Sequence, residues 1–168
     1  MLSVFFIFPV RAKNTFGKKK DKVTRLPFYD LNKNGRMDTY ETPSAPVEYR
    51  VEHLLSQMTL EEKVGQMLTS LGWPMYERVG EDIRLTPQLE KEIGEYHIGS
   101  LWGFMRADPW TQRKLHTGLT PALAARASNR LQFFVLDHRP FGFPLFLAVD
   151  CPNGPMAICH TVFPNSCR

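Results

Sequence analysis

The sequence predicts an α/β fold, and an incomplete (β/α)8 TIM barrel fits its pattern best. Helix-spaced apolar residues and short apolar runs follow one another in the order helix, strand, helix, strand, which is the opening of an architecture with parallel strands. Both predicted strands are apolar on two faces, as expected for strands that are covered on both sides. A complete barrel takes about 250 residues, whereas the chain has 168. We therefore expect only part of a barrel.

Two short helices open the pattern. Apolar residues recur at helical spacing over residues 47–58 and again over residues 60–68. Between these segments, Thr59 and Glu62 have the spacing of a capping box, in which the Thr59 hydroxyl accepts from the Glu62 N–H and the Glu62 carboxylate accepts from the Thr59 N–H. The second helix is therefore expected to begin directly after Thr59.

The first strand follows a less regular segment. Residues 75–95 mix charged residues with few periodic apolar ones, which predicts a loop and then a short helix from about Pro87 to Glu95. Residues 97–104 combine apolar side chains with small residues, which is typical of a buried strand.

A longer helix and the second strand complete the pattern. Thr120 and Pro121 form an N-cap and first-turn pair, and periodic apolar residues continue the helix to about Leu136. A turn follows, and the apolar run 144–149 is the second buried strand. This strand ends at Asp150.

Composition and charge describe an ordinary globular chain with a basic tail. Apolar residues make up 43% and charged residues 23% of the sequence, which suits a soluble domain with a core. The net charge is +4, but residues 1–25 hold seven basic residues and one acid and so carry +6. The remainder therefore carries −2. Because no basic face or binding motif accompanies the tail, we expect no nucleic-acid partner.

Residues 2–10 form an apolar run that is long enough for the core of a signal peptide and too short to span a bilayer. Its basic residues follow the run, and no small-x-small cleavage motif precedes Lys13. Two interpretations stay open, the remnant of an export signal or an arbitrary apolar N-terminus. The first favours a periplasmic or extracellular location. Residues 1–27 are accordingly assigned to a basic N-terminal tail, and no membrane insertion is expected.

Three cysteines, Cys151, Cys159 and Cys167, follow one another at intervals of eight. Zinc sites favour cysteine pairs two to four residues apart, and an odd number argues against a closed disulfide framework. His160 and the adjacent Cys159 would point to opposite sides of an extended chain. We therefore expect small, partly buried cysteines near a strand end.

Residues 30–41 fit the twelve-residue calcium-loop pattern at every defining position. The predicted ligands are the side-chain oxygens of Asp30, Asn32 and Asn34, the carbonyl oxygen of Arg36, Asp38 directly or through water, and a bidentate Glu41. Two interpretations stay open. The loop is either a structural calcium site with a Kd of about 10⁻⁴ to 10⁻³ M or a plain Asn-Gly turn. No cofactor is expected for catalysis.

Ligands of parallel α/β barrels gather at the C-terminal ends of the strands. This rule selects Asp150, which follows the second strand, and the loop at residues 104–110, which follows the first. A carboxylate accepts hydrogen bonds from two sugar hydroxyls, and the indole of Trp102 or Trp110 could stack on a pyranose ring. The alternatives are a helix-capping aspartate, an Arg106–Asp108 surface pair and packed tryptophans. Asp150, Arg106 and Trp102 are the predicted substrate-binding residues.

Several motifs resemble one enzyme family. The string LLSQMTLEEKVGQM at residues 54–67 resembles the opening of the catalytic domain of family 3 glycoside hydrolases, the β-glucosidase and β-xylosidase group. Residues 142–154 and 161–164 are similar to a strand and the substrate loop of the same family. One bacterial branch of the family has two acids where this chain has Val149 and Asp150. The resemblance spans about residues 28–166.

The resemblance implies the N-terminal part of a retaining enzyme that acts on terminal β-linked glucosyl or xylosyl residues. Asp150 matches the acid that orients the nonreducing-end sugar. The family's nucleophile and acid/base lie downstream of the matched region, so no catalytic residue is assigned and the chain alone is expected to be inactive. The implied domains are a calcium-loop-like leader at 28–43 and the N-terminal part of the barrel domain at 44–168.

The implied partners are a β-linked oligosaccharide or β-glycoside and the remainder of the hydrolase. An alternative function stays open. In that alternative the chain is a noncatalytic, calcium-stabilised module that binds carbohydrate or another partner.

Overall fold

A computed structural model describes residues 3–5, 19–20, 27–114 and 116–150. The strands are β1 (Ser3–Phe5), β2 (Lys19–Lys20), β3 (Pro27–Phe28), β4 (Thr69–Leu71), β5 (Tyr76–Val79), β6 (Asp82–Leu85), β7 (Ser100–Trp102) and β8 (Phe146–Val149). The helices are α1 (Val47–Gln57), α2 (Leu60–Gln66), α3 (Pro87–Gly94) and α4 (Pro121–His138), with a 3-10 turn at Thr39–Glu41.

The main sheet has the strand order β1-β8-β7-β4. β4 pairs parallel with β7, and β7 pairs parallel with β8, whereas β1 joins β8 as an antiparallel strand. The mixed α/β class with parallel strands is thus confirmed. Because β1 and β4 form the two edges of this sheet, closure into a barrel stays a prediction.

The predicted helices are present: α1, α2 and α3 end one or two residues earlier than expected, and α4 ends two residues later, at His138. The capping box forms as expected: the Glu62 N–H donates to Thr59 Oγ1 at 3.2 Å, and the Thr59 N–H donates to Glu62 Oε2 at 2.8 Å. α2 ends at Gln66 rather than Leu68, because the Leu68 carbonyl oxygen accepts from the backbone of the segment before β7. α1 has no buried residue, although its apolar spacing is helical.

Two strands correct the prediction of a loop over residues 75–95. β5 and β6 form an antiparallel hairpin that pairs Val79 with Asp82. Gly80 occupies the two-residue turn with φ of +61°, a left-handed conformation that glycine adopts without a Cβ clash. Alternating burial along β6, with Ile83 and Leu85 inside, holds the hairpin against the core.

A third strand was also absent from the prediction. β4 follows α2 almost directly and pairs Thr69 with Ser100 of β7. Its side chains are exposed or half-buried, so it lacks the apolar run that identified the other two parallel strands.

The core lies between the parallel sheet, the hairpin and α4. Leu101, Leu131 and Val135 are fully buried there. The buried side-chain amide of Gln132 donates to the Leu145 carbonyl oxygen at 2.8 Å and accepts from the Leu145 N–H at 3.0 Å. This pair of hydrogen bonds fixes the start of β8 against α4.

α2 packs backbone to backbone against the segment that enters β7. A Cβ added to Gly65 would lie 2.3 Å from the carbonyl oxygen of Tyr96, and a Cβ added to Gly99 would lie 2.1 Å from that of Gln66. Only glycine permits this approach. The helices in the described part of the chain are all too short or too polar to span a bilayer.

Candidate functional site

The C-terminal ends of β4, β7 and β8 meet at one edge of the sheet. The Gly72 N–H donates to the Trp102 carbonyl oxygen at 2.7 Å, and the Gly103 N–H donates to the Ala148 carbonyl oxygen at 2.8 Å. The chain leaves β7 through Gly103, whose φ of +68° turns it sharply away from the sheet. The residues after the three strands are therefore neighbours in space.

Three tryptophans cluster at this edge. The ring centres of Trp73 and Trp102 are 5.5 Å apart, those of Trp73 and Trp110 are 5.0 Å apart, and those of Trp102 and Trp110 are 6.2 Å apart. All three pairs have tilted or edge-to-face geometry, which is the favoured arrangement for aromatic rings.

Arg106 lies among the indole rings. Its guanidinium carbon is 4.7 Å from the ring centre of Trp110 and 4.9 Å from that of Trp102. The same carbon is 5.9 Å from the Trp73 ring. The side chain is only 14% exposed, so the cation is enclosed by aromatic faces that attract it electrostatically.

Two carboxylates approach this cation. Asp108 Oδ2 accepts from Arg106 Nε at 2.6 Å, and Asp150 Oδ2 lies 3.7 Å from Arg106 Nη1. Burial acts to raise the pKa of Asp108, but the Thr111 N–H and the Arg106 guanidinium outweigh it and hold that pKa below its usual range. Asp108 is thus an ionised anchor for Arg106, while the side chain of Asp150 remains 38% exposed.

The loop after β7 is fastened to the hairpin side of the fold. The Thr111 N–H donates to Asp108 Oδ1 at 2.8 Å. Arg113 Nη2 donates to the carbonyl oxygens of Trp73 at 2.5 Å and Tyr76 at 2.8 Å. These hydrogen bonds attach the loop that carries Trp110 to the segment that carries Trp73.

The structure brings the three predicted substrate-binding residues together and changes the roles they can take. Arg106 and Asp108 pair as one alternative predicted, but the pair is partly buried, with 14% and 13% of the two side chains exposed. Trp102 packs under Arg106 and the other two indoles, whereas Trp110 is 63% exposed and presents the accessible ring.

Trp73 completes the cluster and was not selected from the sequence, whereas Asp108 was expected only as the surface partner of Arg106. Trp73 follows Gly72 at the end of β4. Recognising β4 as a strand would have selected Trp73 by the same strand-end rule that selected Asp150.

The predicted calcium loop is well ordered by its own side chains. Asp30 Oδ2 accepts from the Gly35 N–H at 3.0 Å, and Asn34 Oδ1 accepts from the Arg36 N–H at 2.8 Å. The Asn32 and Asn34 amide nitrogens each donate to Asp38 Oδ2 at 2.7 Å. The two amide groups thus donate to the Asp38 carboxylate, and the side chains of the loop satisfy its own backbone.

Glu41 closes this loop. Its Oε1 accepts from the Leu31 N–H at 2.5 Å and its Oε2 accepts from the Asp38 N–H at 3.0 Å. Burial, as the largest effect, raises the pKa of Glu41. Among the described residues no group of three or more His, Cys, Asp or Glu is placed to hold a metal ion. Calcium coordination would therefore depend on the amide oxygens of Asn32 and Asn34 and on the Arg36 carbonyl, the oxygen-rich set that this ion accepts.

Some predictions fall outside the described residues. Cys151, Cys159 and Cys167, and the substrate-loop motif at 161–164, belong to this group.

Comparison with known proteins gives one similarity to a glycosidase. The chain is 28% identical over 138 residues to a periplasmic beta-glucosidase/beta-xylosidase of Dickeya chrysanthemi. The matched region is 82% of this chain and 19% of that protein, so the chain spans about a fifth of the length of this relative. No known protein-family profile matches the chain.

Proposed function

We propose that this chain forms the first sugar-binding subsite of a family 3 type glycoside hydrolase acting on terminal β-linked glucosyl or xylosyl residues. The observation that carries the proposal is the meeting of Asp150, Arg106 and the tryptophan cluster at the strand ends. The similarity to a periplasmic beta-glucosidase/beta-xylosidase supports it. The same similarity supports a periplasmic or extracellular location.

Each site residue has a separate role in binding the sugar. The exposed carboxylate of Asp150 accepts hydrogen bonds from two hydroxyls of the nonreducing-end sugar. Arg106, anchored by Asp108, places its positive charge 3.7 Å from that carboxylate. Trp110 offers an exposed indole face at the rim, which suits the apolar face of a pyranose ring.

The chemistry of the whole enzyme is a double displacement with retention. A retaining glycosidase needs a carboxylate nucleophile and a carboxyl acid/base about 5 Å apart across the scissile bond. In this proposal both groups come from outside these 168 residues. The chain alone then binds the sugar without hydrolysing the glycosidic bond, and the remainder of the hydrolase is its partner.

Titration with methyl β-glucoside and methyl β-xyloside tests the proposal, with tryptophan fluorescence as the readout. Asp150→Asn removes the charge from hydrogen bonds worth about 1.5 to 3 kcal/mol, so it should weaken binding by about 10- to 150-fold. Asp137→Asn is the matched control, because Asp137 is an exposed aspartate on α4 whose ion pair in the described part of the chain is with Lys33, also at the surface. Equal affinities for wild type and Asp150→Asn would refute the proposed role. Hydrolysis of an aryl β-glycoside by the chain alone would refute the external placement of the catalytic groups.

A second candidate function is a noncatalytic, calcium-stabilised binding module, and the ordered loop at residues 30–41 favours it. We propose a structural calcium ion in this loop, held by Asp30, Asn32, Asn34, Arg36, Asp38 and Glu41. At a Kd of about 10⁻⁴ to 10⁻³ M, 10 mM calcium should stabilise the fold by about 1.4 to 2.7 kcal/mol. Calorimetry with calcium and with magnesium tests this. A melting temperature that does not change when calcium is added would refute the site.

A further inference from the structure

β4 is an uncovered edge of the main sheet. It stands at the end of the strand order β1-β8-β7-β4, and among the described residues it pairs with β7 alone. Two hydrogen bonds mark the side of the strand that faces β7. The Ser100 N–H donates to the Leu68 carbonyl oxygen, and the Gly72 N–H donates to the Trp102 carbonyl oxygen. The other side of β4 is open.

The backbone groups of Thr69 and Leu71 point toward this open side. The N–H and C=O groups of successive residues in a strand alternate in direction. Leu68 and Gly72 direct theirs toward β7, so the residues at odd positions between them direct theirs away from it. The edge therefore offers two N–H groups and two carbonyl oxygens to a further strand.

Exposed apolar side chains lead up to this edge. Leu60, Val64, Met67, Leu68 and Leu71 are between 43% and 77% exposed. The first four recur at helical spacing along α2 and the turn that ends it, and the fifth lies in β4. An apolar surface of this kind is typical of a protein–protein contact when its members are clustered rather than scattered.

The chain around the edge carries no charge. No charged residue occurs from Gly65 through Tyr76, a run that includes all of β4. Soluble proteins usually protect an exposed edge strand with lysine or another charge, with proline or with a bulge, and β4 has none of these. Near a twofold axis each residue meets its own copy, so a neutral edge can pair with itself without bringing like charges together.

We propose that β4 is a dimer interface and that its partner is β4 of a second copy of this chain, paired antiparallel across a twofold axis. Thr69 pairs with Leu71 of the second copy, and Leu71 pairs with Thr69 of the second copy. Each pair exchanges two N–H···O=C hydrogen bonds, and Ser70 faces its own copy on the axis between them. All the outward backbone groups of the two strands are then bonded.

This interface joins the two four-stranded sheets into one sheet of eight strands. The same residues serve in both copies, as an isologous contact requires, and assembly through this edge stops at two copies because both β4 strands are then covered. The dimer does not depend on the proposed sugar site, so the two proposals can fail separately.

Sedimentation velocity under reducing conditions tests the dimer, since the reductant excludes disulfide links through Cys151, Cys159 or Cys167. Over a concentration series we expect the monomer of 19.4 kDa to give way to a species of twice that mass. Leu71→Lys places a charge at the edge and should raise the dimer Kd at least about 10-fold. Val79→Lys is the matched control, because Val79 is an exposed apolar strand residue in the hairpin. A monomer at every concentration, or equal weakening by the two variants, would overturn the proposal.

Disulfide cross-linking tests the register and does not rely on a disruptive variant. The Cα atoms of the two Ser70 residues should lie about 4.5 Å apart, which a disulfide can span. The two Thr69 residues are diagonal neighbours about 7 to 8 Å apart, which is beyond its ordinary reach. In a chain whose native cysteines are replaced by serine, oxidised Ser70→Cys should form a covalent dimer and Thr69→Cys should not. Cross-linking of neither variant, or of Thr69→Cys in preference to Ser70→Cys, would contradict the pairing.

Discussion

Replacing Arg106 with methionine should loosen the tryptophan cluster and lower the stability of the fold. The change removes a 2.6 Å charge-assisted hydrogen bond to Asp108, in which both side chains are less than 15% exposed. Such a bond is worth about 1.5 to 3 kcal/mol, and the cation–π contacts add about 0.5 to 1 kcal/mol. The ion pair with Asp150 adds little, because its 3.7 Å separation and the 38% exposure of Asp150 leave it largely screened. The expected loss is therefore about 2 to 4 kcal/mol.

Urea unfolding followed by tryptophan emission measures this loss and reports on the cluster itself. We expect the free energy of unfolding to fall by about 2 to 4 kcal/mol and the native emission to change, since the cation leaves the faces of the indoles. Arg126→Met is the control, because Arg126 is an exposed arginine on α4. A loss below about 0.5 kcal/mol, with unchanged emission, would refute the view that Arg106 organises the cluster.

Three further predictions concern the core, a helix cap and the loop at residues 30–41. Leu131→Ala empties a fully buried site and should cost about 2 to 5 kcal/mol in urea unfolding, whereas Leu60→Ala at a 71% exposed site should cost less than about 1 kcal/mol. Thr59→Ala removes half of the capping box and should cost about 0.5 to 2 kcal/mol by the same assay; no loss would mean that the cap does not hold α2. Burial raises the folded-state pKa of Glu41. The protonated side chain therefore stabilises the fold below its unfolded-state pKa, and this stabilisation is lost as the pH rises through its folded-state pKa. Without calcium, Glu41→Gln should therefore gain stability relative to wild type as the pH rises above the ordinary range of a glutamate pKa, about 4.3, and a constant difference would contradict the raised pKa.

The sequence predicted those elements whose signals are local. The Thr59–Glu62 cap and the Thr120–Pro121 start gave α2 and α4 their first residues, because a cap is a chemical pattern within four residues. The apolar run that ends at Asp150 likewise located β8. The strand-end rule then selected Asp150, because the residue that follows a strand in the sequence also lies at the end of that strand in the fold.

The missed elements depend on partners that are distant in the sequence. β4 has exposed or half-buried side chains, and its pairing with β7 supplies the information that its composition lacks. The hairpin did have a local signal in the Gly80-Glu81 turn between alternating residues, which a period-two search would have detected. The burial of Arg106 under three indoles had no local signal, because the rings come from the ends of two different strands and a loop.

The parallel pairing of β4, β7 and β8 also determines when the candidate site would appear during folding. Thr69 and Ser100, which are 31 residues apart, must meet before β4 and β7 can pair. β8 can pair with β7 only after the connection that contains α4 has crossed the sheet. The β5–β6 hairpin closes through a two-residue turn and faces no such entropic delay. We therefore expect the hairpin and α4 to form early and the tryptophan cluster to assemble late. Substitutions in the cluster should then speed unfolding and leave the folding rate almost unchanged.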